Sequence, residues 1–413
     1  MKVVGLITEY NPFHNGHKYH LEKSKEIVGA THSVAVMSGN FLQRGEPALF
    51  DKWERAKAAV KQGVDLVLEL PVIFSCNSAE FFALGSTSLL NSLNIVDYLC
   101  FGSEDGELKN INLISDLLAD EPSKFKKLLK EYLDKGYTFP AARQKAIKDY
   151  LGYNVDYIDI LNFPNNILGI EYVKSLKLLK SKIKPLTIKR IKADYNSLEI
   201  RDNICSATAI RNMLQKDYED ISIIKSVVPN ESYKIIREAI KNNKGPIFIK
   251  DLEKIILYKL RISSIEHLKI IHDINEGLEN RLKNGAILST NYDELISYVK
   301  TKRYTMTRLQ RIFIKAILDI SKKDVKVLVK ELGPQYIRVL GFNNKGADLL
   351  KKIKKVSCLP IITNLKRYKP ENDYAKRMIE IDIASTDIYS LLYGNKEFAK
   401  GGLDFIKTPY IHN

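Results

Sequence analysis

Two histidines near the N-terminus, His14 and His17, flank Asn15 and Gly16. An apolar run at residues 3–7 precedes them, and the pattern that follows predicts a helix. A spacing of three residues at a helix start places both imidazoles on one face. A helix N-terminus presents free N–H groups and a partial positive charge, and Gly16 permits close backbone approach. The segment is therefore suited to hold phosphate oxygens.

The same histidines have two ordinary explanations, a metal-binding pair or two surface side chains. An isolated His-x-x-His would favour those explanations. The context favours phosphate, because an apolar strand precedes the pair and Pro12 fixes the turn. No further cluster of Cys or His follows at the spacing of a metal site, so we expect no metal held by protein side chains.

The elements that must position these histidines alternate in type. Four apolar runs predict buried parallel strands, at residues 3–7, 33–37, 65–70 and 98–101. Helical spacing lies between them at residues 17–28 and 52–62, and Gly63 follows as a C-cap residue would. This order predicts a doubly wound α/β sheet, which binds ligands at the carboxyl ends of its strands.

The pattern changes near residue 215 to long helices with exposed lysines, such as residues 231–241 and 251–260. Beyond residue 333, strands at 336–340 and 359–363 are predicted around a helix at 345–355. We therefore expect three parts, which are an α/β nucleotide-binding domain at residues 1–215, a helical domain at residues 216–332, and a small basic α/β region at residues 333–413.

The composition is that of a folded protein, with 45% hydrophobic and 28% charged residues. The net charge of +16 is concentrated toward the C-terminal end. Residues 1–150 carry 18 basic and 19 acidic side chains, whereas residues 301–413 carry 23 basic and 11 acidic ones. A basic region joined to a neutral one indicates a polyanion partner such as RNA. A lysine-rich proteome is the alternative explanation.

The cellular location is indicated by the cysteines and by the lack of long apolar runs. The four cysteines, at positions 76, 100, 205 and 358, form neither a CxxC pair nor a compact disulfide framework. The apolar run at residues 3–7 is too short for a signal peptide or a membrane span. We expect a reduced, cytoplasmic protein that does not enter the membrane.

Residues 14–17 resemble the HxGH motif of a nucleotidyltransferase superfamily, which shares a Rossmann-like sheet with class I aminoacyl-tRNA synthetases. The resemblance implies that His14 and His17 contact ATP phosphates and stabilise the departing pyrophosphate. Residues 205–211, CSATAIR, resemble a distal I-S-S-T-x-I-R element of the same superfamily. That element implies triphosphate contacts for Ser206 and Arg211, with Thr208 as an N-cap or phosphate contact. Taken alone, the segment is also explained as an ordinary capped helix.

The lead-in to the motif is TEYNP, with Asn11 where the superfamily usually has aspartate. This difference argues against the pantetheine-phosphate and nicotinate nucleotide adenylyltransferases. The chain closely resembles the family of bacterial tRNA(Met) cytidine acetate ligases. The resemblance is carried by residues 9–17, 37–48, 101–104, 164–169 and 206–211. The resemblance covers the whole N-terminal half, and more loosely the basic C-terminal half.

This resemblance implies that ATP and acetate form acetyl-adenylate, with Mg²⁺ assisting, and that the acetyl group passes to N4 of the wobble cytidine of elongator tRNA(Met). It implies catalytic roles for His14, His17 and Arg211. The implied ATP contacts are Ile7, Thr8, Glu9, Tyr10, Asn11, Pro12, Phe13, His14, Asn15, Gly16, His17, Lys18, Tyr19, His20, Gly102, Asn165, Arg190, Ile191 and Ser206. Asn165 is alternatively a turn residue after a proline, and Arg190 one more solvated charge.

Residues 38–47 follow a predicted strand and combine several polar side chains with an aromatic that we expect to be exposed, Phe41. Such a loop could cover the site, and its polar groups could bind acetate or orient the target base, although a structural turn explains it nearly as well. Lys52 and Arg55, one helical turn apart, are expected to face phosphate or solvent.

Two other functions fit parts of the sequence. A small-molecule nucleotidyltransferase would use the same motif without RNA, which leaves the basic C-terminal end unexplained. A non-catalytic RNA-binding protein would use the fold as a scaffold, which leaves the two histidines and the distal element unexplained.

Overall fold

The computed structural model describes residues 1–152, 160–190, 205–275, 277–301 and 303–413. Its strands are β1 (Val3–Thr8), β2 (His32–Ser38), β3 (Leu66–Leu70), β4 (Tyr98–Ser103), β5 (Lys184–Lys189), β6 (Ile337–Asn343), β7 (Ile361–Ile362) and β8 (Tyr410–His412). They form one sheet in the order β5-β4-β1-β2-β3-β6-β7, and β8 pairs with β6.

Strands β1 to β5 are parallel, which confirms the predicted doubly wound α/β fold. From β1 the chain adds β2 and β3 on one side and β4 and β5 on the other. The strand order therefore reverses between β1 and β4. In folds of this type, the crevice outside the carboxyl ends of the strands at such a reversal is where ligands bind.

The helices of the first half are α1 (Asn15–Val28), α2 (Lys52–Lys61), α3 (Val72–Ser75), α4 (Ala79–Ser92), α5 (Leu108–Asp120), α6 (Ser123–Asp134), α7 (Phe139–Leu151), α8 (Pro164–Leu178) and α9 (Ala207–Lys216). Successive strand residues point to opposite faces, so helices cover both sides of the sheet. Val4 and Leu6 pack on the face that carries α1 and α2. Val3 and Gly5 face the other side, where α4 and α8 lie.

The predicted helical region is confirmed. Its helices are α10 (Asn230–Lys241), α11 (Glu253–Ile262), α12 (Ile265–Ile270), α13 (Leu278–Leu288), α14 (Tyr292–Val299), α15 (Met306–Ile317) and α16 (Lys322–Asp324), which continues into a π-helical stretch at Val325–Leu332. Within the part of the chain that the structure describes, no helix has the length and apolar character needed to cross a membrane.

The strands and the helix predicted after residue 333 are confirmed as β6, β7 and α17 (Asn344–Val356), and they are followed by α18 (Asp373–Ser390) and α19 (Leu403–Ile406). β6 runs antiparallel to β3, with Glu69 opposite Arg338. The C-terminal part thus extends the sheet of the N-terminal part. The boundaries at residues 215 and 332 stay predictions, but the sheet crosses the second of them.

Lys52 lies inside this junction, and the expectation that it faces phosphate or solvent is wrong. Its side chain is fully buried, and its ammonium group contacts both Glu69 carboxylate oxygens at 2.8 and 2.9 Å. It also pairs with Asp404 at 2.8 Å, and Asp404 pairs in turn with Arg338 at 2.8 Å. A buried charge requires such partners, so this network joins α2, β3, β6 and α19.

Candidate active site

The two motif histidines form the N-terminal cap of α1. The Nδ1 atom of His14 accepts the N–H of Gly16 at 3.0 Å, and the Nδ1 atom of His17 accepts the N–H of His14 at 3.3 Å. The rings stack with their centroids 3.8 Å apart. A neutral imidazole that accepts at Nδ1 carries its proton on Nε2. Both rings therefore carry an Nε2–H on the side away from the capped N–H groups, and the ring of His17 also interacts with the carbonyl of Pro12.

The backbone at this helix start is already engaged. The N–H of Asn15 donates to the carbonyl of Val227 at 3.0 Å, and the N–H of His17 donates to the carbonyl of His14 at 2.9 Å. Since the N–H of Gly16 is held by His14, the N–H groups of residues 15–17 are not free, contrary to the expectation from sequence. The imidazole rings are instead the groups at this helix start that can donate hydrogen bonds.

These imidazoles are neutral at ordinary pH. Burial, and then the positive charges of Arg190 and Arg211, lower the pKa of His14 to about 3. Burial is also the main reason why the pKa of His17 lies well below its usual value and why the pKa of His20 falls to about 4. The histidines therefore donate hydrogen bonds without carrying charge. The positive charge of the site comes from the arginines.

Arg190 reaches the site from the end of β5. Its N–H donates to the carbonyl of Ser103 at 2.9 Å, and its side chain crosses Gly102 on β4. A Cβ atom at Gly102 would lie 3.2 Å from Cγ of Arg190, which is tighter than an ordinary contact, so a larger residue would require the arginine side chain to shift. The two predicted residues are thus coupled. Ile191, also predicted as a contact, lies outside the described residues.

Arg211 reaches the site from α9. Its guanidinium donates to the carbonyl of Asn11 at 3.4 Å and to the hydroxyl of Thr208 at 3.0 Å. The N-cap of α9 is Ser206, whose hydroxyl accepts the N–H of Ala209 at 3.1 Å. Thr208 is therefore not the cap, and its hydroxyl supports Arg211. The distal element and the His motif meet at the same end of the sheet, as predicted.

Asn165 lies in the first turn of α8, beside the end of β4. Its side-chain amide donates to Glu104 at 2.7 Å, and the N–H of Asn166 donates to the second oxygen of Glu104 at 2.9 Å. Glu104 thus caps α8 and fixes the amide of Asn165. Both residues border the crevice between β1 and β4 without touching the histidines.

Asn11 fixes the loop that leads to the histidines. Its Oδ1 atom accepts the N–H of Leu49 at 2.8 Å, so it ties this loop to the residues before α2. Its Nδ2 atom is buried and has no hydrogen-bond partner among the described residues. Tyr10 and Phe13 are buried and pack against the ring of His17, with centroids 5.0 and 5.6 Å away. The packing of these two aromatic rings helps to fix the orientation of the His17 imidazole.

Two neutral Nε2–H donors and two guanidinium groups thus converge at the carboxyl end of β1. Guanidinium groups and fixed N–H donors suit the oxygens of a polyphosphate. The described residues contain no group of three or more His, Cys, Asp or Glu side chains placed to hold a metal ion.

The family model described as HIGH Nucleotidyl Transferase matches residues 1–403. The tRNA(Met) cytidine acetate ligase of Acetivibrio thermocellus is 44% identical over 100% of both chains. That of Alkaliphilus metalliredigens is 45% identical over 99% of both chains. This chain belongs to the tRNA(Met) cytidine acetate ligase family.

Solved structures of the ligase family have the same fold. Thermotoga maritima TmcAL bound with alpha-thio ATP superimposes with a TM-score of 0.93, at 35% identity over 100% of this chain and 99% of that one. The apo form of TmcAL gives a TM-score of 0.94 at 36% identity and the same coverage. The family resemblance inferred from the sequence motifs is thereby confirmed.

Three predicted ATP contacts follow His17, and their side chains do not all face the site. Tyr19 is exposed and, at 100° per residue, lies on the opposite side of α1 from His17. Lys18 pairs with Glu22 at 3.9 Å on the solvent side. His20 shares the face of His17, and its Nε2 atom is buried with no partner in the described ranges. Of these three side chains, His20 is the one that faces inward.

The loop at residues 38–47 differs from its prediction in one respect. Phe41 is fully buried and packs edge-on against Tyr389, 6.3 Å between centroids, so the expectation of an exposed aromatic is wrong. A Cβ atom at Gly45 would lie 2.2 Å from the backbone N of Arg311 on α15. The loop is therefore pressed between the sheet and the helical region.

Arg55 is also buried, and the expectation that it faces phosphate or solvent is wrong. Its guanidinium donates to the carbonyls of Glu9 at 2.6 Å and Ser38 at 3.1 Å, and also to that of Gly39. It thus joins the carboxyl ends of β1 and β2. The local sequence gives no sign of this role, because the carbonyls it binds are distant along the chain.

The lysines of α17 lie at the amino ends of the strands, whereas the histidines follow the carboxyl end of β1. Lys352 and Lys355 line an open cavity of about 400 Å³ with Met1 and His32. Met1 and His32 stand at the amino ends of β1 and β2, whereas the histidine motif follows the carboxyl end of β1. A polyanion on these lysines would contact the protein about one strand length, roughly 20 Å, from the candidate active site.

Proposed function

We propose that this chain condenses acetate with ATP to form acetyl-adenylate and pyrophosphate, and then acetylates N4 of the wobble cytidine in elongator tRNA(Met). The observation that carries the proposal is the convergence of His14, His17, Arg190 and Arg211 at the end of β1. The family membership and the ATP analogue bound to Thermotoga maritima TmcAL support nucleotide binding by this chain.

In the first step, an acetate oxygen attacks the α-phosphorus in line, and pyrophosphate leaves. Negative charge grows on the leaving group, where the Nε2–H groups of His14 and His17 and the guanidinium of Arg211 can stabilise it. Donors that are fixed before the reaction cost no reorganisation during it. The capping hydrogen bonds of both imidazoles supply this fixation, and most of the remaining catalysis is positioning.

We propose that Mg²⁺ accompanies the ATP. Mg²⁺ prefers oxygen ligands and retains several waters, so phosphate oxygens can hold it without a protein cluster. This suits a site in which the groups proposed to face the phosphates, His14, His17, Arg190 and Arg211, are neutral or positive. Mg²⁺ would neutralise phosphate charge, while the histidines and arginines fix the orientation of the triphosphate.

The RNA contact is proposed for the basic C-terminal part, and above all for Lys351, Lys352, Lys354 and Lys355, all exposed on α17. A transfer RNA is long enough to place one base at the active site while its backbone contacts the lysines at the amino ends of the strands. Contacts of this kind supply affinity and register rather than base recognition.

The test is ATP–pyrophosphate exchange with and without acetate. We expect exchange that requires acetate, followed by transfer of labelled acetate to tRNA. Exchange that ignores acetate would instead indicate a nucleotidyltransferase acting on another acceptor. Absence of ATP turnover under every condition would indicate a non-catalytic RNA-binding protein.

A further inference from the structure

The second step of the proposed reaction needs a group that takes a proton from the attacking amine, and Glu9 is placed for this role. Glu9 directly follows β1. Gly5 and Ile7 face the side of the sheet that carries α4, and Glu9 lies on that side as well, because it acts electrostatically on Tyr172 and Cys76 of the same core. The histidines begin α1, which covers the opposite face. Glu9 and the phosphate donors thus approach the end of β1 from different sides.

The side chain of Glu9 is held in place but keeps one oxygen available. Its Oε1 atom accepts the N–H of Gln43 at 2.8 Å. Within the described ranges, its Oε2 atom accepts no hydrogen bond, and Glu9 makes no ion pair within 4.0 Å. Five charged or titratable groups, each from a different part of the chain, act electrostatically with Glu9. They are Arg211 on α9, Arg44 on the loop at residues 38–47, Arg55 on α2, Tyr172 on α8 and Cys76 after α3.

Three other carboxylates at this end of the sheet already have partners at both of their oxygens. Glu69 is held by Lys52 and Arg338 in the buried network. Glu104 caps α8 through both of its oxygens. Asp51 caps α2 and pairs with Lys244 at 3.3 Å. Of the four carboxylates compared, Glu9 is thus the one with an oxygen that accepts no hydrogen bond from the described residues.

The environment also suits a base. Burial raises the pKa of Glu9 above its usual value, although the N–H of Gln43 and the three arginines act in the opposite direction. A carboxylate whose pKa is raised toward neutrality accepts a proton more readily. Arg211 links the two sides of the site, because it faces both Glu9 and His14.

We propose that Glu9 is the general base of the acetyl transfer, a role that rests on the proposed function. The cytidine N4 lone pair attacks the carbonyl carbon of acetyl-adenylate and forms the C–N bond. The bond between that carbon and the phosphate oxygen breaks, and AMP leaves with its electron pair. The N4 proton passes to Oε2 of Glu9 and then to water. No oxidant, reductant or further reactant is needed.

The test separates the two half-reactions in Glu9→Gln, Glu9→Asp and wild type. The first is acetate-dependent ATP–pyrophosphate exchange. The second is single-turnover transfer of labelled acetyl from enzyme-bound acetyl-adenylate to tRNA, measured from pH 5 to 9. Glu22→Gln on the solvent face of α1 is the matched control. Positioned acid–base groups contribute about 10²- to 10⁴-fold, so we expect Glu9→Gln to slow transfer at least tenfold more than exchange.

The pH profile distinguishes a base from a structural support. Wild-type transfer should rise with pH as Glu9 loses its proton, Glu9→Gln should lack that rise, and Glu9→Asp should keep it at a lower rate. Equal losses in both half-reactions, or an unchanged rise in Glu9→Gln, would overturn the assignment. If Glu9→Gln does not fold, the ratio of the two losses in Glu9→Asp decides. Failure of wild-type exchange to require acetate would contradict the proposed function instead.

Discussion

The neutral state of His14 has a measurable effect on stability. In the folded chain the pKa of His14 is about 3, whereas its ordinary value is 6.5. Between these values the unfolded chain binds a proton that the folded chain does not, so stability falls as the pH drops below 6.5. At pH 5 the difference is 1.5 pH units, and each unit corresponds to about 1.36 kcal/mol, which gives a loss of about 2 kcal/mol relative to pH 8.

The perturbation is His14→Asn, because asparagine is a good N-cap and can replace the capping acceptor. The variant should lose about 2 kcal/mol less than wild type between pH 8 and pH 5. The assay is urea unfolding followed by fluorescence of the single tryptophan, Trp53, which packs in the same core as α1. An identical pH dependence in the two proteins would refute a neutral, buried His14.

Three further predictions concern one histidine, a group of four lysines and one buried lysine. His17→Ala should abolish ATP–pyrophosphate exchange while tRNA retention on filters stays nearly intact; equal loss of both would contradict the separation of nucleotide and RNA contacts. Replacing Lys351, Lys352, Lys354 and Lys355 by glutamine should weaken tRNA binding and reduce its salt dependence, with exchange unchanged, and unaltered binding would place the RNA contact elsewhere. Lys52→Met should destabilise the fold by about 3–5 kcal/mol in urea unfolding, since it leaves Glu69 and Asp404 buried with less compensation, and a loss under 1 kcal/mol would argue against the buried network.

The sequence was most informative where local pattern determines structure. The strands at residues 3–101 are apolar runs, and their order predicts the sheet and the end at which ligands bind. The helix start at His14 was also predictable, because a three-residue spacing after an apolar strand has one simple geometry. What the spacing could not reveal is that the imidazoles themselves engage the N–H groups, which makes their Nε2–H groups the donors.

Three residues were predicted wrongly, Phe41, Lys52 and Arg55, and each has partners that are distant in sequence. Lys52 has the helical position of a solvent-facing residue, but one of its partners, Asp404, comes from the last ten residues of the chain. The sequence did contain one indication that a lysine is buried here. Glu69 is a charged residue inside the apolar strand Leu66–Leu70, and a buried carboxylate requires a cation such as Lys52. Phe41 and Arg55 are buried because α18 and the strand ends pack onto them, which no local pattern encodes.

We propose that one site joins acetate to ATP and passes the acetyl group to an RNA. The most direct measurement incubates the chain with ATP, labelled acetate and elongator tRNA(Met), and then maps the label by nucleoside analysis. We expect the label to appear on the wobble cytidine, to require ATP, and to be accompanied by release of AMP and pyrophosphate. Two results together would contradict this proposal. They are that labelled acetate never enters the RNA and that ATP is consumed at the same rate with and without acetate.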